Sequence, residues 1–217
     1  METFLFWFWK VKSYLERKVK IVLVGASGTV GRAIINELSD RHEIVRVGRS
    51  GGDAQVDITS EDSIKEMYEK TGAFDALVCA AGDAHFGPLT EMTENEYMIG
   101  IKNKLMGQVN LVLVGMKHIN DMGSFTLTSG ALSGDPIPFG SSVSMVNAAV
   151  EGFALGASIE MPRGLRINVV SPNVVEESME KVGTYFRGHV PVPAARVALA
   201  YSKSVEGLLS GQVFRAT

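Results

Sequence analysis

The stretch "KIVLVGASGTVGRAI", residues 20–34, constrains the fold more than any other part of the chain. Ile21–Val24 is apolar at every position, as expected of a strand buried on both faces. The run then enters a glycine turn. After it, Val30, Ile34, Ile35 and Leu38 recur at helical spacing. A strand covered on both sides, followed directly by a helix, belongs in a parallel sheet flanked by helices.

The rest of the chain repeats the alternation. "HEIVRVGRS", "AFDALVCAAG", "GSFTLTSG", "LRINVVSP" and "GQVFRA" read as strands. "DITSEDSIKEMYEKTG", "TENEYMIGIKNKLMGQVNLVLVGMKHI" and "SSVSMVNAAVEGFALGASIEM" read as helices, the first with Thr59 and Ser60 as cap candidates and Lys70 before Gly72 at its close. Strands alternating with helices give βαβ units with right-handed crossovers. The expected fold is α/β, a doubly wound parallel sheet of Rossmann type. It forms a single domain over residues 20–217, preceded by an aromatic and basic extension over residues 1–19.

The glycine spacing carries chemistry. Gly25 allows a tight turn, Gly28 lets backbone approach a phosphate, and Gly31 lets the helix pack close to the strand. The helix N-terminus then offers unpaired N–H groups to a pyrophosphate. A dinucleotide site in the first βαβ unit is therefore expected. A site for NAD commonly has an acid at the end of the second strand, accepting from the ribose 2′-hydroxyl. Here Arg49 and Ser50 stand there, with no acid before Asp53. A guanidinium suits a 2′-phosphate, so NADP is expected over NAD, the alternative being a surface arginine in a turn. Asp57 with Ile58 is placed to meet the adenine amino group.

Composition limits the other possibilities. The chain has 217 residues, 46% hydrophobic and 21% charged, with a net charge of −3. No clustered basic face points to nucleic acid. One cysteine, Cys79, leaves no disulfide framework, and a cytoplasmic, reducing location fits. The histidines are scattered and no metal-ligand spacing appears, so no metal is expected. Phe4–Trp9 is apolar or aromatic throughout but far shorter than the roughly 20 residues of a membrane span. Phe4, Phe8, Val11 and Leu15 share a helical face. That face would pack on the body or a partner subunit, or lie on a membrane surface, unless the start of the chain is mis-assigned; membrane attachment is the lesser expectation.

These motifs resemble the short-chain dehydrogenase/reductase family over nearly all of residues 20–215. "GASGTVG" is similar to the family's cofactor loop and "DIT" to its adenine-contacting turn. "CAAG" is similar to its Asn-Ala-Gly motif, with Ala80 in the asparagine place. "FTLTSG" resembles the strand that delivers a catalytic serine, which would be Ser129. "SPNVVEES" resembles the loop beside the nicotinamide, with Pro172 kept and Asn173 in a glycine place. The resemblance implies a cofactor site of Gly25, Ser27, Gly28, Thr29, Val30, Gly31, Arg49, Ser50, Asp57, Ile58, Ala80, Ala81, Gly82 and Pro172.

The resemblance also exposes a departure. The family's proton-donating tyrosine and its lysine, one helical turn later, fall here on Val143 and Asn147. Valine transfers no proton. The literal Tyr-x-x-x-Lys, Tyr14 with Lys18, precedes the first strand. In the preceding long helix, "KLMG" puts Lys104 where the family carries an asparagine. Lysine and asparagine are thus exchanged between neighbouring helices, or Lys104 is a surface residue like Lys102. The expected catalytic group is Ser129, Lys104 and Asn147. Thr128, Ser142, Ser144, His85, Tyr185 and His189 stand by as donors.

Two functions of different class follow. One is an NADP(H)-dependent oxidoreductase acting on a small carbonyl or alcohol through an altered site. The other is a nicotinamide-cofactor-binding protein without redox turnover, a sensor or assembly partner. An isomerase or dehydratase using the fold without net oxidation is a third. The resemblance further implies a small-molecule substrate and a homodimer or homotetramer built on the two long helices.

Overall fold

The computed structural model describes residues 17–217, and the aromatic helix expected from Phe4 to Leu15 lies outside them. Strand β1 (Lys20–Val24) pairs in parallel with β2 (Glu43–Gly48) on one side and β4 (Phe74–Cys79) on the other. A two-residue strand β3 (Ala54–Gln55) continues past β2. Beyond β4 lie β5 (Ile119–Thr128), β6 (Arg166–Pro172) and β7 (Val213–Ala216). The order is β3-β2-β1-β4-β5-β6-β7, and every pairing is parallel. Strand order therefore reverses between β1 and β4, which opens a crevice at their carboxyl ends.

Side chains alternate across a strand, so β1 feeds two cores. Ile21 and Leu23 join Ile34, Leu38, Val78 and Tyr201 on one face. Val22 and Val24 join Tyr68, Leu77, Leu111 and Phe125 on the other. Burial on both faces is the physical reason the run is apolar at every position. Helices α1 (Thr29–Leu38) and α7 (Ala194–Glu206) cover the first face. The second is covered by α2 (Glu61–Thr71), α4 (Met106–Gly115) and α5 (Ser141–Ser158), while α3 (Glu94–Gly100), ahead of α4, packs on α5.

The caps follow from the sequence. Ser60 is the N-cap of α2, accepting from the Ser63 N–H, while Glu61 and Asp62 occupy the first turn. Its Gly72 end has φ +68, a left-handed stop that glycine reaches without strain. Thr93 and Glu96 form a capping box on α3.

Three features differ from the pattern read above. The long helix from Thr93 is not continuous: Ile101–Leu105 is π-helical, between α3 and α4. Such bulges frequently sit at functional sites, and this one carries Lys104. Helix α7 occupies a stretch to which the sequence pattern assigns nothing; its Val197, Ala198, Tyr201 and Val205 are buried. The two-residue β3 is also new. Between β6 and α7 the chain forms a lid with a short helix α6 (Met179–Val182), closed by a bridge from Val175 to Val192.

The first strand is anchored from within the described chain. The Lys20 amide donates to Asp75 Oδ2 at 2.9 Å and its ammonium to the Thr71 carbonyl at 2.6 Å. The exposed Arg17–Asp75 pair adds at most about 1 kcal/mol. A chain starting at Val19 is therefore expected to stay soluble, with a urea midpoint close to that of the full chain. Precipitation of the shortened chain would mean that residues 1–18 cover part of the body.

Candidate active site

The turn after β1 is built for close approach. Gly25 has φ +88, and a Cβ there would lie 2.6 Å from the Ala80 carbonyl oxygen at the end of β4. A Cβ at Gly31 would collide with the Gly25 carbonyl, so α1 begins flush against the turn. Gly28, its N-cap, faces open space apart from the Gly25 oxygen at 3.4 Å. The N–H groups of Thr29, Val30 and Gly31 have no acceptor within the helix. An open glycine face above a helix N-terminus fits a pyrophosphate. Ser27 lends its carbonyl to the Arg32 guanidinium, which braces the loop.

At the end of β2 the nearest acid is already engaged. Arg46 grips Asp53 through two guanidinium contacts, 3.0 and 3.1 Å, and a backbone bond at 2.9 Å. Arg49 and Ser50 are exposed just beyond Gly48. Asp57 accepts from the side chain and backbone of Thr59, which hold its carboxyl below its ordinary range, and the Arg49 charge adds to this. Ile58 is buried against Gly107 of α4. A 2′-phosphate, rather than a 2′-hydroxyl needing a free acid, fits this corner.

Lys104 reaches the end of β5. Its stem passes over Gly82, where a Cβ would come 2.9 Å from Lys104 Cγ, and its Nζ donates to the Ser129 carbonyl at 3.0 Å. Burial pushes its pKa down to about 8, offset in part by Cys79 and Asp83. Asn147, 1% exposed, donates from Nδ2 to the next carbonyl, Gly130, at 3.4 Å, and its Oδ1 is buried without a partner. Gln108, one turn beyond Lys104, holds the same strand end: it donates to the carbonyls of Thr128 and Lys104 and accepts from the Thr128 N–H. Lys104 and Asn147 do come together, on consecutive carbonyls. A buried amide oxygen without a hydrogen-bond partner suits a ligand hydroxyl.

Ser129 does not behave as the resemblance implies. Its hydroxyl donates to Glu151 Oε1 at 2.8 Å, as does that of Ser133 at 2.7 Å, with Arg215 3.6 Å from Oε2. The position that faces Asn147 is Gly130, where a Cβ would stand 3.0 Å from Asn147 Nδ2 and 3.8 Å from the Pro172 carbonyl. Val143 is buried in an apolar cluster with Leu132, Ile137, Ala84 and Phe186.

The other candidate donors are occupied or turned aside. Thr128 bonds the Cys79 carbonyl and the Tyr201 hydroxyl. The hydroxyls of Ser142 and Ser144 are buried without partners. His85 lies beside Gly87 of its own loop. His189 sits 3.3 Å from Asn173 Oδ1 and 3.4 Å from Asp135 Oδ2, fastening the lid, and Tyr185 meets Phe139 edge-on. Gln108 and Glu151 are the functional candidates that sequence reasoning missed. Each lies four residues past a singled-out position, Lys104 or Asn147, and so on the same helix face.

Comparisons with known proteins agree with this fold. The family model described as enoyl-(acyl carrier protein) reductase matches residues 11–197. The crystal structure of the protein lin1944 from Listeria innocua superposes with a TM-score of 0.90 and 52% identity, over 91% of this chain and 99% of that one. A small-chain dehydrogenase solved in complex with NADPH gives 0.81 and 26%, over 92% and 96%. An uncharacterized oxidoreductase from Methylorubrum extorquens is 26% identical, over 79% of each chain.

Lys104 should leave a mark on stability. Its folded pKa near 8 lies below its ordinary 10.5, so the unfolded chain binds more protons between those values. Stability contributed by this group therefore rises as pH goes from about 8 to 10.5. In urea titrations over that window, Lys104→Met is expected to lack the rise. Parallel curves for the two proteins would show that the ammonium is well solvated.

Proposed function

This chain belongs to the short-chain dehydrogenase/reductase family, matched by its model over residues 11–197, and we propose that it is an NADP(H)-dependent oxidoreductase whose proton passes through Lys104. The observation that carries the reading is the Lys104 ammonium, held over Gly82 against the end of β5 with a pKa near 8. The bound cofactor supplies or takes up the hydride. This chain's residues do the rest.

Gly25, Gly28 and Gly31, with the free N–H groups of α1, would hold the pyrophosphate. Arg49 would bind the 2′-phosphate, since Arg46 has neutralised Asp53. Ser50, Asp57 and Ile58 would bound the adenosine, with Ala80, Ala81, Gly82 and Pro172 lining the floor. Gly130, the residue that faces Asn147, offers no hydroxyl, and Ser129 is bound to Glu151; Val143 and Asn147 do not titrate. That leaves Lys104 to give a proton to a carbonyl oxygen on reduction and to take it back on oxidation. A group that titrates near the operating pH is suited to this work. The Asn147 amide oxygen is available to a ribose hydroxyl, so Lys104 would take the family tyrosine's part and Asn147 the lysine's hold on the ribose.

The expected partners are a small-molecule substrate and a second copy of the chain. Leu113 of α4 and Leu155 of α5 stand exposed on the two long helices through which the family resemblance implies pairing. A reducing, cytoplasmic setting is consistent with the single buried thiol, Cys79.

A second reading has its own support. Phe186 packs over Val143 and closes the tyrosine's position with apolar contacts. A nicotinamide-binding protein without turnover would look the same.

Two measurements test this. NADPH is expected to bind at least about tenfold tighter than NADH by calorimetry, a difference Arg49→Ala should largely remove. Reductive turnover should hold below pH 8 and fall as pH rises through Lys104's value of about 8, with oxidation showing the opposite slope. Lys104→Gln should lose about 10²-fold or more in rate, Lys102→Ala almost nothing. NADPH binding with no turnover of any carbonyl by any variant would favour the second reading.

A further inference from the structure

Beyond Val143 the crevice opens into a cavity of about 420 Å³, within the usual range of small-molecule sites. Three segments at the carboxyl ends of the strands form it: the loop after β4, the loop after β5, and the lid. Phe86, Pro88, Ile137, Phe139, Tyr185 and Phe186 supply most of its wall. Among its described lining residues there is no lysine, arginine, histidine or carboxylate, and the phenol of Tyr185 is the one polar side-chain tip. Ile137 and Phe186 also pack on Val143, so the cavity shares a wall with the position where the family's proton donor would stand.

The rim is exposed and yet held in shape. Phe86, Phe139 and Tyr185 are 51%, 47% and 52% exposed, a cluster of rings that the other described residues leave open. Exposed apolar patches of this kind mark ligand or partner sites. Phe139 has φ +66, a left-handed conformation that costs a bulky residue energy and persists where surrounding structure enforces it. Two contacts enforce it here. The Gly87 N–H donates to the Phe139 carbonyl at 3.0 Å, joining the first two loops. The Phe139 and Tyr185 rings meet edge to face, 6.4 Å apart at 82°, joining the second loop to the lid. All three walls are thus tied through one strained residue.

We infer that this cavity binds the apolar body of a neutral aromatic or branched aliphatic carbonyl compound or alcohol, and excludes carboxylated and polyhydroxylated ones. The inference rests on the oxidoreductase reading for the reaction, but the binding it describes does not. A carboxylate here would lose its hydration and find no cation, and sugar hydroxyls would find few acceptors. Aromatic rings on three sides offer stacking and edge contacts to a flat ligand.

The test measures binding separately from turnover. With NADPH present, calorimetry compares acetylnaphthalene, its ring-carboxylated analogue acetylnaphthoate, and dihydroxyacetone. Acetylnaphthalene should bind at least about tenfold tighter than either of the others. Phe139→Asp puts a charge on the rim; since Asp adopts positive φ more readily than Phe, the fold should survive, with NADPH affinity as the check. This variant and Tyr185→Asp should each weaken acetylnaphthalene at least about tenfold. Equal or tighter binding of acetylnaphthoate or dihydroxyacetone overturns the inference, as does acetylnaphthalene binding that neither variant weakens. A change in mass by light scattering in these variants, without loss of ligand binding, would assign the rim to a second copy of the chain and also overturn it. Acetylnaphthalene that binds as described but is never reduced counts against the proposed reaction and leaves this inference standing.

Discussion

Three consecutive carbonyls where β5 leaves the sheet are each held by a helix side chain, and the geometry of the whole site depends on them. The Thr128 carbonyl accepts from Gln108, that of Ser129 from Lys104, and that of Gly130 from Asn147. Strand-end carbonyls that lose their ladder partners must find donors elsewhere. Here the donors come from two helices, the π-helical turn with α4 and then α5, so satisfying the backbone also fixes where those helices stand. The π bulge gains a purpose from this: an extra residue in the turn shifts Lys104 relative to Gln108, and both reach neighbouring carbonyls. Glu151 secures the same turn from its other side through the hydroxyls of Ser129 and Ser133.

The cofactor end of the crevice was legible in the sequence, because glycine has few other reasons to occur at those positions. Gly25 must cross the end of β4 at a distance that no Cβ permits, and Gly31 must let a helix start against a turn. The reaction end was less so. The strand-end motif pointed to Ser129, but successive strand side chains face opposite ways, so a shift of one residue changes which position looks into the site. Gly130 faces Asn147; Ser129 faces Glu151. Nothing in "LTSGA" says where the pleat ends. The π bulge was hidden for a similar reason, since its residues have ordinary helical character. Helix α7 had a readable start in Pro193, and its small residues hid an apolar stripe that the packing makes plain.

Placing the proposed charge at Lys104, with an asparagine at position 147, has an electrostatic logic. On α5, position 147 sits one turn from Val143 and looks onto the Gly130 carbonyl, which the Asn147 amide already meets. On the π turn, the ammonium keeps a carbonyl and stays within the influence of Asp83. The desolvation that lowers its pKa is the cost of that position, and such costs are commonly kept at functional sites. Asn147, being neutral, can be almost completely buried there without a counter-ion, which a lysine could not.

Charge is therefore distributed unevenly along the crevice. One end carries Arg49, the helix dipole of α1 and Lys104, all positive and all suited to an anionic cofactor. The other end is a ring of aromatic side chains, with no charged group among its described wall residues. Val143 lies at the junction, where its apolar side chain extends the aromatic region up to the edge of the polar one. On the proposed reading, the proton passes through Lys104 on the cofactor side. The substrate side then needs no polar group of its own, and packing rather than hydrogen bonding shapes it.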